Sequence, residues 1–300
     1  MPDTATTRVL FFGANNAFST TVLRALCVAN IQVAGVLRYG FSGAQPPPRT
    51  LFPVQPSPGR AVLAGLAEEF GFPVLCTADL TGSATLARLS ALQADIFLSV
   101  CFPRRLPAQL LQLAGTACLN IHPSLLPAYR GPAPIFWQFR GGEGDLGVTL
   151  HALSDELDAG PVLAQHSVAL SDGLHHGEIG WRLGRVGADL FERAIPRLTT
   201  SRQNYTAQDT SAASYYPLPK AEDFVLDSQW SSRRAYNFMC ATDHYCRPYP
   251  VQAGGLTLLL ERAVGFTDTD DGEGSEHGRD VLAIPFRRGT LYAEPARTVS

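Results

Sequence analysis

Two short, almost unbroken apolar runs constrain this chain of 300 residues more than anything else in it: Arg8 to Phe12 (RVLFF) and Asp95 to Cys101 (DIFLSVC). A strand that is apolar at consecutive positions must be covered on both faces, which is the situation of a central strand in a parallel sheet sandwiched by helices. The turn Gly13-Ala14-Asn15-Asn16 follows the first run, and Phe18, Val22, Leu23 and Leu26 then recur at helical spacing. Ile31 to Leu37 (IQVAGVL) reads as the next strand. This β-α-β order predicts a mostly parallel sheet with Rossmann-like winding. The turn lacks the second and third glycines of GxGxxG, which argues against a dinucleotide site.

The rest of the chain extends this pattern. Residues 38–60 are rich in Gly, Pro and Ser and carry no periodicity, so they predict a long surface loop whose cations are Arg38, Arg49 and Arg60. Helices are expected over 61–70, 83–92, 106–113, 134–140 and 178–198, with short strands at 73–76, 117–121, 147–153 and 160–170. Phe136, Trp137 and Phe139 read as core. The polar stretch Thr199 to Ser214 is the candidate linker. About four strands, drawn from Val251 to Ala263 and Asp280 to Tyr292, follow it, with an acidic loop at 268–276. The expectation is an α/β chain: a Rossmann-like, mostly parallel sheet over 1–200, a linker over 201–214, and a small, β-rich, barrel-like C-terminal domain over 215–300.

Composition narrows the partners. With 45% hydrophobic and 17% charged residues the chain has an ordinary globular make-up. Its net charge of −3 shows no basic surplus of the kind that phosphate contacts need, and residues 201–300 hold 10 basic against 13 acidic side chains. The start lacks a signal-type apolar run and no stretch approaches ~18 apolar residues, so a cytoplasmic protein without a membrane span is expected. Six scattered cysteines without CxxC spacing read as reduced thiols, and no metal site is expected, His175-His176 included.

Chemistry concentrates between Leu119 and Gln165, in LNIHPSLLPAYRGPAPIFW and GVTLHALSDELDAGPVLAQ. Pro123 and Pro127 stop the apolar run, which places Asn120 and His122 where a strand gives way to a loop, on the same side of an extended chain. An amide can support an oxyanion, and an imidazole can move a proton near neutral pH. Asp158, on the bend Leu157-Asp158-Ala159-Gly160-Pro161, can meet that imidazole. Such a trio suits acyl transfer without a covalent enzyme intermediate. Turn chemistry is the plainer alternative: an Asn-x-His at a strand end and an Asx-turn at Asp158. His151 and His166, on the two strands framing Asp158, read as packing or surface residues.

The combined pattern N-x-H-x-SLLP-x-x-RG-x-x-P, then D-x-x-LD-x-G-x-x-L, resembles that of the folate-dependent formyltransferases, over roughly residues 8 to 200. The 36 positions from His122 to Asp158 match the members that act on methionyl-tRNA. The resemblance implies transfer of a formyl group from 10-formyltetrahydrofolate to an amine, with Asn120, His122 and Asp158 catalytic. It also implies a folate pocket lined by Cys101, Phe102 and Pro103, continuing to Arg105, and by Ser124, Leu125, Leu126 and Pro127. Lys220, Asp227 and Trp230 stand where the methionyl-tRNA members enter their second domain. The weakly basic loop at 38–60 departs from those members. Methionyl-tRNA is thus the first acceptor to expect, a small amine such as an amino-sugar nucleotide or a hydroxylated amino acid the second. A non-catalytic folate-binding protein and a formate-releasing hydrolase stand behind them.

Overall fold

A computed structural model describes residues 7–40, 60–198, 204–268 and 280–296. Most of the predicted loop at 38–60, the start of the linker and the acidic loop after Asp268 therefore lie outside the described residues. In chain order the elements are β1 (Arg8–Gly13), α1 (Ala17–Val28), β2 (Gln32–Tyr39), α2 (Arg60–Phe70), β3 (Val74–Thr77), α3 (Ser83–Ser90), β4 (Ile96–Val100), α4 (Ala108–Leu111), β5 (Ala117–His122), α5 (Pro134–Gly141), β6 (Asp145–Ala152), β7 (Val162–Ala169), α6 (His176–Leu198), α7 (Ser232–Thr242), β8 (Tyr249–Ala253), β9 (Leu256–Thr267), β10 (Leu282–Pro285) and β11 (Thr290–Pro295).

The first sheet has seven strands in the order β3-β2-β1-β4-β5-β6-β7. Strands β1 to β5 pair in parallel, and β6 and β7 are added antiparallel. Alternate residues along the central strands feed two cores, as the pleat requires. Val9, Phe11, Ile96, Leu98, Val100, Leu119 and Ile121 meet α1, α2 and α6 on one face, while Leu10, Phe12, Leu37 and Phe97 meet Leu89 of α3 and Leu110 of α4 on the other. The chain winds outward from β1 to β3 and returns beside β1 as β4, so the sheet's topological switch lies between β1 and β4. The carboxyl ends of these two strands are therefore the place where sheets of this kind bind ligands.

A second, antiparallel sheet, ordered β10-β11-β9-β8, packs against α7. Its core is aromatic: Phe224, Trp230, Phe238, Tyr249 and Phe286 are buried together with Leu260, Ile284 and Leu291. The helix α5 belongs to both bodies. Ile135 faces the first core, and its neighbour Phe136 enters the second, against Phe224 at 5.1 Å and Phe238 at 5.2 Å between ring centres. Pro134 opens this helix and Gly142, in the left-handed region, closes it. The expected fold class is thus observed, with two differences of detail. The connection between the helix expected over 134–140 and the strand expected from 147 is shorter, because α5 runs to Gly141 and β6 begins at Asp145; and α6, expected from 178, already starts at His176. Among the described residues no helix is long and apolar enough to cross a membrane.

Candidate active site

Strand β5 carries the first two groups. Leu119 and Ile121 are locked into the core with α6, and this fixes Asn120 and His122 on the opposite face, where the loop 123–131 reaches His122 through the Tyr129 carbonyl. His122 is 4% exposed and Asp158 8%. The His122 Nε2 lies 2.9 Å from the Tyr129 carbonyl oxygen and its Nδ1 lies 3.6 Å from Asp158 Oδ1. Both ring nitrogens thus face oxygen acceptors, and a charged imidazolium would have an acceptor on each side. The second carboxylate oxygen, Asp158 Oδ2, accepts the backbone N–H of Gly131 at 2.9 Å.

Glycine is required at two points of this construction. Gly131 has φ +116° and a side chain there would run into the Tyr216 carbonyl; at Gly160 a Cβ would meet the Ala152 carbonyl at 1.8 Å. The two close approaches let the loops bearing Tyr129 and Asp158 converge on His122. Asp158 itself sits at φ +54°, a backbone region that aspartate enters more readily than most residues.

His151 is the member that sequence reading missed. It is the register partner of Asn120 in the β5–β6 pairing, and it is 1% exposed. Its Nδ1–H donates to the Ala152 carbonyl at 2.9 Å, leaving Nε2 to accept from Asn120 Nδ2 at 3.1 Å; the same Nε2 lies 3.9 Å from Asp158 Oδ1. Burial, and then the neighbouring His122, push the His151 ring well below the ordinary histidine value. A neutral ring with a fixed tautomer holds the Asn120 amide in one orientation, so that its second N–H is left for a substrate oxygen. The signal was present in GVTLHAL, where Thr149 and His151 alternate with the core residues Val148 and Leu150. His166, by contrast, is exposed.

The residues expected around a folate divide by placement. Cys101, at φ +55°, and Phe102 lie just past the carboxyl end of β4; Phe102 meets Phe12 and Tyr39 edge-on, and Pro103, Arg104 and Arg105 are exposed. Burial raises the Cys101 thiol to about 11, so it is a neutral wall. Leu125 is exposed and Pro127 half-buried, whereas Ser124 and Leu126 turn inward. The Ser124 Oγ–H donates to the Ala128 carbonyl, and Thr149 Oγ1 donates to the Ser124 carbonyl while accepting from the Leu126 N–H. Those two therefore shape the loop from within. His175 and His176 do not converge: His175 pairs with Asp243, His176 stacks on His244, and among the described residues no group of three metal-type ligands occurs.

Fold and cluster together define a doubly wound α/β protein with an Asn-His-Asp constellation beside its topological switch and an antiparallel sheet appended. A sequence model of the family described as formyl transferase matches residues 63–195. The methionyl-tRNA formyltransferase of Lysinibacillus sphaericus is 32% identical over 289 residues, which are 96% of this chain and 90% of that protein. That of a Synechococcus strain is 36% identical over 182 residues; this match takes in 60% of the chain and only 56% of the relative's length. Among solved structures, the N-formyltransferase from Helicobacter canadensis in complex with folinic acid and dTDP-3-aminofucose shares the fold, with a TM-score of 0.61 at 16% identity over 96% of this chain and 99% of that one. The chain belongs to the formyl transferase family.

Proposed function

We propose that the protein transfers a formyl group from 10-formyltetrahydrofolate to an acceptor amine, and that the acceptor is methionyl-tRNA. The carrying observation is the convergence of Asn120, His122 and Asp158 in one buried cluster at the carboxyl end of β5. The neutral amine attacks the formyl carbon, a C–N bond forms, and the carbonyl oxygen takes up negative charge. Asn120 donates its free N–H to that oxyanion, and His122, held between the Tyr129 carbonyl and Asp158, stabilises it by charge when its ring carries a second proton. Collapse breaks the bond from the formyl carbon to the folate nitrogen, and one proton moves from the attacking amine to that nitrogen. The residues around the cluster suit the co-substrate: Phe102 and Leu125 offer apolar surface, and the neutral Cys101 adds no charge.

Support for methionyl-tRNA comes from relatives of that name, one of which aligns along 96% of the chain. A second reading, a small amine such as an amino-sugar nucleotide, is favoured by the net charge of −3 and by the full-length likeness to a fold neighbour solved with dTDP-3-aminofucose. The deciding experiment supplies labelled 10-formyltetrahydrofolate with methionyl-tRNA, with an amino-sugar nucleotide, or with water alone. Label in the tRNA establishes the first reading, and label only in the sugar the second. Formate released equally in all three would overturn both.

A further inference from the structure

The segment 204–217, which follows α6 and leads toward α7, is tied along its length to the loops of the site. Thr206 exchanges both backbone hydrogen bonds with Val162, at 2.8 Å each. The Ser214 carbonyl accepts the Arg130 N–H, its N–H donates to the Pro127 carbonyl, and its Oγ accepts the Tyr129 N–H. Tyr216 completes the strap: its N–H donates to the Arg130 carbonyl, and its ring is stacked between Tyr129 and Trp137 at 5.4 Å and 4.9 Å.

At its centre Gln208 uses its whole amide. The Nε2 group donates to the carbonyls of Asp158 and Gly160 at 2.8 Å and 2.7 Å, and Oε1 accepts from Arg130 Nε and Nη2 at 3.1 Å and 2.7 Å. One side chain from the strap thus joins the two loops that must converge on His122. One supplies the Tyr129 carbonyl and the Gly131 N–H, the other the Asp158 carboxylate. Half-buried Gln208 bonds the Asp158 backbone carbonyl rather than its carboxylate, and so braces both loops through their backbone and Arg130.

We infer that Gln208 is a positioning residue for formyl transfer, holding the Asp158 loop against the Arg130–Gly131 turn so that the carboxylate stays at His122. The inference rests on the proposed function for its effect on rate, but the clamp itself has a readout independent of activity. A misplacement of about 1 Å in such a constellation costs on the order of a hundredfold in rate, and losing a partner that orients a reacting group has a cost of about ten- to a hundredfold.

The test uses Q208A, which removes all four hydrogen bonds, and Q208E, which keeps the acceptor for Arg130 but sets a carboxylate against two carbonyls. For both, kcat should fall about tenfold or more while KM for 10-formyltetrahydrofolate changes less than about threefold and thermal stability is largely kept. In the same samples the Gly131 amide, which donates to Asp158 Oδ2, should exchange its hydrogen about tenfold faster or more. Rates within twofold of the parent protein in either variant would overturn the inference, as would a loss of kcat with Gly131 exchange unchanged. Should the parent protein transfer no formyl group to any amine, the function reading fails alone, and Gly131 exchange still decides for or against the clamp.

Discussion

The two sheets of this protein are held by different kinds of core, and each stands in a different relation to the chemistry. Beneath the first, aliphatic side chains from β1, β4 and β5 interdigitate with α1 and α6, and the strand register itself delivers Asn120 and His122 to the site. The second is built ring on ring, with Phe136, Phe224, Trp230 and Phe238 in tilted and edge contacts, and it reaches the site through α5 and the strap. A core of the first kind sets geometry through the backbone. One of the second kind adds stability and braces from a distance. Damage to the two should therefore separate into loss of rate and loss of fold.

The sharpest way to break that division is H122A, which should lower kcat about a thousandfold or more while the thermal unfolding midpoint stays close to that of the parent protein. A large fall in the midpoint would mean that the cluster is structural. Next in size, F238A removes a fully buried ring from the aromatic core. It should cost about 3–5 kcal/mol in denaturant unfolding, yet leave kcat per folded molecule within about twofold. A kcat that falls in step with stability would show the second core setting catalytic geometry after all.

A smaller effect is expected from pH. His176 and His244 stack at 3.6 Å where α6 begins and α7 ends, and burial lowers both rings, His244 to about 3. Below the ordinary value near 6.5 the unfolded chain takes up protons that these folded rings refuse. Stability should then decline as pH falls from about 6.5 toward 3, with a slope on the order of 1 kcal/mol per pH unit. Thermal midpoints recorded from pH 7 to pH 4.5 check this; a flat profile contradicts it, and H244F should reduce the slope. Smallest of all, L259S on the exposed outer face of β9 should change stability by no more than about 0.5 kcal/mol, unless that face is covered by something in solution.

The sequence made the first sheet legible because its signals are local. Apolar runs such as DIFLSVC and the prolines after His122 identify buried strands and the point where one opens into a loop, and the two halves of the motif are specific enough to place Asp158 with His122. His151 was harder to see. Its importance comes from lying opposite Asn120 across an antiparallel pair, a fact of register rather than of neighbours in sequence. Gln208 was harder still, lying in a polar stretch without periodicity and drawing its role from contacts 50 and 78 positions away. The aromatic core was only half legible, since Phe136 reads as buried from its helix but not as buried against residues a hundred positions further on.

That double membership of α5 bears on any attempt to use the first sheet by itself. A chain cut near residue 203 would keep the motif and all three catalytic candidates, but would leave Ala133, Phe136 and Trp137 with their partners removed, as an apolar strip beside the site. Such a fragment would be prone to self-association through that strip. Making it a soluble stand-alone module would require polar replacements along one side of α5, and Ile135, which serves the other core, would have to be left as it is.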